Sequence, residues 1–380
     1  MFEDVVKKSV LKINPYVPGK PIEEVEREFG IRNAVKLASN ENPLGPSKAA
    51  VLAVIKKSAG VNIYPDGACY YLKKALAKKT GAVPEMISVG NGSNELEQII
   101  AEAFVGPGDE VMFSELSFVV YPIVTHIAGG TPVVVPHRDF RHDIDGFIKR
   151  LTPKTKLVFL CNPNNPTGAI ITKPELEKFM AAVSPKTIVA LDEAYFEYAS
   201  DSAYPDGLKY LSKHKNLIVL RTFSKIYGLA GLRIGYAVCD AEITGYIERV
   251  RAPFNANLLA QAAAVAALKD RKHVVKTIKV NNEGKKYLYA AFDRMGISHV
   301  KTNANFIFAK FDRPSAELNA QMLRRGVIIR PQQGSFARVT IGTMRQNRKL
   351  VSALEEMLGK KEGRRQKIKK YINKLKRRKK

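Results

Sequence analysis

Seven short apolar runs, most followed by a polar turn or a helix-patterned stretch, constrain the fold of this chain more than any other feature. They lie at 86–89, 110–113, 131–135, 156–161, 187–191, 217–220 and 236–239, and are rich in Val, Ile and Leu. Stretches such as 93–104 and 118–128 carry helical spacing between them. Strands that are apolar along their whole length are buried on both faces, and helical crossovers between them make the sheet mostly parallel. The fold class is therefore α/β, with a large domain at 45–265 built on that sheet. Residues 258–293 read as helical, 299–311, 327–330 and 338–341 as strands, and 350–358 as a closing helix. They predict a smaller α+β domain from 266–358 together with 1–44, which includes an N-terminal arm. A basic tail occupies 359–380.

In an open α/β sheet, ligands bind outside the carboxyl ends of the strands. The segment after each predicted strand is therefore the informative part of the chain. The first strand leads into Gly90-Asn91-Gly92-Ser93-Asn94, and the fourth into an amide-rich turn, Asn162 to Gly168. The fifth runs into Asp192-Glu193-Ala194-Tyr195, and the sixth into Arg221 through Lys225. Taken singly, an Asn-Pro segment is a turn, an Asp after a strand is a helix cap, and a lysine at a strand end is solvated. Together they bring an amide, a carboxylate, a phenol, an amine and an anion-binding helix start to one edge of one sheet. That set matches the needs of pyridoxal phosphate. Lys225 would bond the aldehyde. Asp192 would keep the ring nitrogen protonated, and Asn165 and Tyr195 would donate to the ring oxygen. Ser93 and Asn94 open a helix whose N–H groups suit a phosphate, and Ser224 and Arg233 add a hydroxyl and a guanidinium. Phe118 would cover the ring face.

These residues carry a family resemblance. NPNNPTG (162–168), LDEAYFEY (191–198) and TFSKIYGLAGLRIGYA (222–237) resemble fold-type I, pyridoxal phosphate-dependent aminotransferases. The flanking segments KLASNENPLGPS (36–47), NIYPDG (62–67), GNGSNELE (90–97), RAPFNANLLAQAAA (251–264) and RVTIGT (338–343) resemble the histidinol-phosphate branch of that family. The resemblance implies that Lys225 also shuttles the proton, with Asp192 and Tyr195 beside it in the catalytic set. It implies a homodimer in which Tyr64 reaches the neighbouring cofactor phosphate. Tyr16 would close over the substrate, and Arg330 and Arg338 would bind its phosphate or carboxylate. The implied substrates are a phosphorylated amino alcohol and a 2-oxo acid, handled in the cytoplasm. An aromatic amino acid aminotransferase shares nearly all these motifs, and a threonine-phosphate decarboxylase is a more distant relative. Three departures stand out. Ser117-Phe118 replaces a Thr-aromatic pair, Asn94 replaces an aspartate, and Val119-Val120-Tyr121 is more apolar than a substrate-contacting segment should be.

Charge first suggests a nucleic-acid partner, since 62 Lys plus Arg against 36 Asp plus Glu gives +26. Residues 360–380, however, hold 13 basic residues and one acid, so +12 of the excess is in the tail. Ile368, Tyr371, Ile372 and Leu375 form an apolar stripe there, read as a short docked helix with a basic end. Contact with RNA, DNA or an anionic membrane surface through this tail is the alternative. The +14 of the remaining chain suits a protein that handles anionic ligands. No run approaches the length of a membrane span, and 1–11 lacks the apolar region of a signal peptide. Cys69, Cys161 and Cys239 have no metal or redox spacing and read as reduced thiols. His137 and His142 with Asp139 and Asp143 match no metal motif. The 90–95 segment lacks the third glycine of a dinucleotide fingerprint.

Overall fold

The computed structural model describes residues 2–359. The predicted tail, 360–380, lies outside the described residues. The chain divides into two compact units. The first comprises Met1–Val17, Glu41–Lys279 and Val300–Phe306, and the second Pro18–Asn40, Val280–His299 and the chain from Ile307. Residues 2–17, 41–44, 266–279 and 300–306, grouped with the small domain in the sequence, cluster with the first unit.

The first unit holds a seven-stranded sheet: β1 (Ile87–Gly90), β2 (Glu110–Ser114), β3 (Thr131–Val135), β4 (Thr155–Cys161), β5 (Ile188–Asp192), β6 (Leu217–Thr222) and β7 (Gly235–Val238). Their order is β1-β7-β6-β5-β4-β2-β3. The neighbouring pairs from β6 to β3 run parallel. Only β7 runs against both its neighbours, so the sheet is mostly parallel. Side chains alternate between its two faces with period two. Leu157, Phe159, Ile188, Ala190, Ile218 and Leu220 enter one core, with helices α1 (Ser93–Phe104) and α2 (Val120–Ala128). Val158, Leu160, Val189, Leu191, Leu217 and Val219 enter the opposite core, with helices Ile144–Arg150 and Lys173–Ala182. With both faces covered, every residue of β5 and β6 is buried.

The second unit carries a four-stranded sheet of β8 (Ser298–His299), β9 (Phe306–Lys310), β10 (Arg330–Pro331) and β11 (Phe336–Thr340), ordered β8-β9-β11-β10. Phe292, Ile307, Leu318, Val339, Leu350 and Leu354 fill its core. Two expectations change in detail. The helical stretch at 258–293 is two helices, Leu258–Lys269 and Arg271–Met295. Asp270 separates them because its carboxylate accepts the His273 N–H at 3.0 Å and so starts the second helix. The strand expected at 299–311 is interrupted between β8 and β9, where Thr302 Oγ1 accepts the Ala304 N–H at 3.0 Å and makes a turn.

Candidate active site

Register places the functional side chains. Cys161 pairs with Asp192, and Asp192 with Leu220, so β4, β5 and β6 end side by side. Gly235 at the start of β7 pairs with both Gly90 and Thr222. The segments after β1, β4, β5 and β6 therefore emerge on one edge of the sheet, all within the first unit.

At one end of this edge is an anion cradle. Gly92, at φ +87°, precedes the first residue of α1, Ser93. A Cβ on Gly92 would lie 2.4 Å from Arg233 Nη2, and one on Gly235 would lie 2.5 Å from the Ser93 nitrogen. Glycine is needed at both places because backbone and guanidinium approach so closely. Arg233 itself is left-handed, at φ +56°. Its Nη1 donates to Ser224 Oγ at 3.4 Å and its Nη2 to the Asn91 carbonyl at 3.5 Å. Glu95 holds the loop in shape by accepting the Asn91 N–H at 2.6 Å and the Asn255 amide at 2.5 Å. Helix-start N–H groups, a hydroxyl and a guanidinium around glycines fit a phosphate.

In the middle of the edge stands Asp192, 3% exposed. Its Oδ2 accepts the Tyr121 hydroxyl at 2.8 Å and the Cys161 thiol at 3.7 Å, and its Oδ1 accepts the Ala194 N–H at 3.1 Å. Burial pushes this carboxyl up. Tyr121, the Ala194 N–H, Cys161 and the Lys225 ammonium pull it back toward the charged form. A buried carboxylate with several donors fits a protonated ring nitrogen. Lys225 Nζ lies 5.8 Å from the centre of the Tyr195 ring, and Tyr195 packs edge-on to Phe306. In the turn after β4, Asn162 exchanges hydrogen bonds with Ile171, and Asn164 donates to the Leu116 carbonyl and Thr167. These two amides shape the turn that carries buried Asn165.

The chain matches the model for aminotransferases of class I and II over residues 32–354. It is 51% identical to a histidinol-phosphate aminotransferase of Moorella thermoacetica over 357 residues, 93% of this chain and 92% of that protein. This chain belongs to the class I and II aminotransferases. A relative named histidinol-phosphate aminotransferase from Caldicellulosiruptor saccharolyticus is 42% identical over 94% of this chain and 100% of its own. Among solved structures, the histidinol-phosphate aminotransferase of Sinorhizobium meliloti in complex with pyridoxal-5'-phosphate has a TM-score of 0.85. It is 28% identical, covering 92% of this chain and 96% of that one. The aspartate aminotransferase of Thermus thermophilus with maleate, at 22% identity and a TM-score of 0.80, shares the fold.

Within this aminotransferase, the first unit brings together Ser93, Asn94, Phe118, Asn165, Asp192, Tyr195, Ser224, Lys225 and Arg233. Tyr64 and Tyr16 belong to the same unit but are 79% and 56% exposed, and Tyr64 stacks on Phe254 at 4.7 Å. Arg330 and Arg338 belong to the second unit, where they face each other as register partners on β10 and β11. Tyr121, in the segment that the sequence shows as unexpectedly apolar, lies fully buried between Phe118 and Phe159. Its ring stacks on Phe159 at 4.5 Å and meets Phe118 edge-on at 5.8 Å.

Sequence reasoning also missed Arg221 and Glu193. Arg221 Nε and Nη2 donate to Glu193 Oε2 at 2.9 and 2.7 Å, and Nη2 also donates to Asp206 at 2.7 Å. The guanidinium covers the Phe196 ring at 3.5 Å. The signal was the placement of each beside a singled-out residue, Glu193 after Asp192 and Arg221 shortly before Lys225. The histidines considered for metal have other partners: His137 stacks on Phe140, and His142 Nε2 meets the Cys161 carbonyl at 2.9 Å.

Proposed function

We propose that this aminotransferase moves the amino group of L-glutamate onto imidazole acetol phosphate, giving 2-oxoglutarate and L-histidinol phosphate in histidine biosynthesis. Pyridoxal phosphate is its cofactor. The observation that carries the reading is the match to the Moorella protein over nearly the whole of both chains, together with the intact cradle, carboxylate and lysine. When bound, the cofactor supplies an aldehyde that takes up the amino group and a ring that accepts the electrons freed at the substrate carbon. Lys225 Nζ would bond that aldehyde at rest and, once released, would hold and return the proton. Asp192 would hold a negative charge for the ring nitrogen. Asn165 and Tyr195 would donate to the ring oxygen, and Phe118 would cover the ring. Ser93, Asn94, Ser224 and Arg233 would hold the phosphate.

Arg330 and Arg338 take the anionic groups of the substrate. A coupled assay of glutamate formation from 2-oxoglutarate, with histidinol phosphate or phenylalanine as donor, tests the assignment. A site built for a phosphate should favour histidinol phosphate in kcat/KM by about 10²-fold or more. Equal values would point to an aromatic aminotransferase.

The chain works as a homodimer in the cytoplasm. Leu52, Ile55, Val61, Ile63 and Tyr71 are each more than 60% exposed in the region around Tyr64. An apolar group of this size on a single chain calls for a cover, and a second copy places Tyr64 where a neighbouring site can use it. The three cysteines are free and buried, in keeping with a reducing compartment. Light scattering should give twice the chain mass, and Leu52→Glu with Ile55→Glu should halve it; a wild-type monomer would remove the homodimer.

A further inference from the structure

Beneath the sheet edge lies a second carboxyl that the proposed chemistry does not use. Glu97 sits on α1, the helix whose start forms the phosphate cradle, and faces inward with Leu96, Ile100 and Ala101. It is 0% exposed, and neither carboxyl oxygen has a hydrogen-bond partner among the described residues. Ionisation without donors is strongly disfavoured in such a place. Asp192 is as deeply buried but accepts from Tyr121, Cys161 and Ala194. Burial, and then the nearby Asp192, push Glu97 well above the usual carboxylate range. Glu97 also acts on Tyr121 and Cys161. Of two acids in one dry core, the one with three donors holds a negative charge more readily than the one with none.

We propose that Tyr121 is a positioning residue that assigns the negative charge of the Glu97–Asp192 pair to Asp192. The proposal rests on the reading of Asp192 as partner of the cofactor ring nitrogen. Tyr121 supplies the shortest hydrogen bond at Asp192, 2.8 Å, and stacking on Phe159 at 4.5 Å with planes 2° apart fixes the direction of its hydroxyl. Glu97 keeps the proton of the pair. Without the phenol, Asp192 becomes a stronger base and competes for the ring-nitrogen proton. No bond between heavy atoms changes; one proton moves between nitrogen and oxygen.

Two measurements test this. Infrared spectra of the apoprotein should show the C=O stretch of a buried protonated carboxyl, and Glu97→Gln should lose it. Its absence from the wild type, or its survival in Glu97→Gln, would overturn the proposal even if Tyr121→Phe failed to fold. The second is the 15N shift of holoenzyme carrying ring-labelled pyridoxal phosphate. The wild type should report a protonated nitrogen. Tyr121→Phe should move the shift toward the unprotonated form and raise the cofactor Kd about tenfold, the scale of one charged hydrogen bond. Wild-type shift and Kd in Tyr121→Phe, with a displaced shift in Asp192→Asn, would sink the role of Tyr121 alone. A wild-type shift in Asp192→Asn would remove the assignment of Asp192 itself, and this inference with it.

Discussion

Lys225→Ala should bind pyridoxal phosphate yet turn over on the order of 10⁴-fold more slowly, the scale of a lost proton carrier and nucleophile. The phosphate contacts attributed to Ser93, Ser224 and Arg233 do not involve the lysine amine, so cofactor should stay with the protein through dialysis. The visible absorption of the lysine-bonded form should vanish. Absorption spectra of the dialysed variant, then single-turnover mixing with L-glutamate, separate binding from chemistry. Turnover near the wild-type rate would remove Lys225 from its role.

Glu193→Ala should cost stability, by about 3–5 kcal/mol in urea unfolding. Arg221 is 4% exposed and Glu193 fully buried, and the pair bridges the ends of adjacent strands β5 and β6. Removing the carboxylate takes away two hydrogen bonds and leaves the guanidinium with Asp206, the Phe196 ring and the neighbouring Tyr236 and Glu197. The penalty is that of a less fully compensated buried charge more than of a lost attraction. The double variant Glu193→Leu with Arg221→Met should therefore lose clearly less than the single variants sum to. Strict additivity would show that the two side chains do not act as a pair. The same bridge has a positional consequence. Glu193 adjoins Asp192 and Arg221 is four residues before Lys225, so the ion pair fixes the spacing of the carboxylate and the amine.

The strands were legible because β4, β5 and β6 are buried on both faces and so cannot tolerate polar interruptions. Their polar successors stand out against that background, which is why Asn165, Asp192, Ser224 and Lys225 could be picked out in order. Gly92 and Arg233 were legible as cradle residues, although their close approach was not, since it depends on β1 and β7 pairing across 145 positions of sequence. Glu97 and Tyr121 escaped for a different reason. An acid in an Asn-Glu-Leu-Glu run reads as a solvated helix face, and a tyrosine after two valines reads as core packing. Only the 2.8 Å bond to a residue 71 positions away makes Tyr121 a polar partner. The break at Asp270 was hidden by helix-forming residues on both sides.

The yellow holoenzyme reports directly on whether histidinol phosphate is the substrate. Adding L-histidinol phosphate without an oxo acid should bleach the visible band in a single turnover, one equivalent per site. Adding 2-oxoglutarate should restore it. An unchanged band with histidinol phosphate, beside rapid bleaching by phenylalanine, would contradict the assignment.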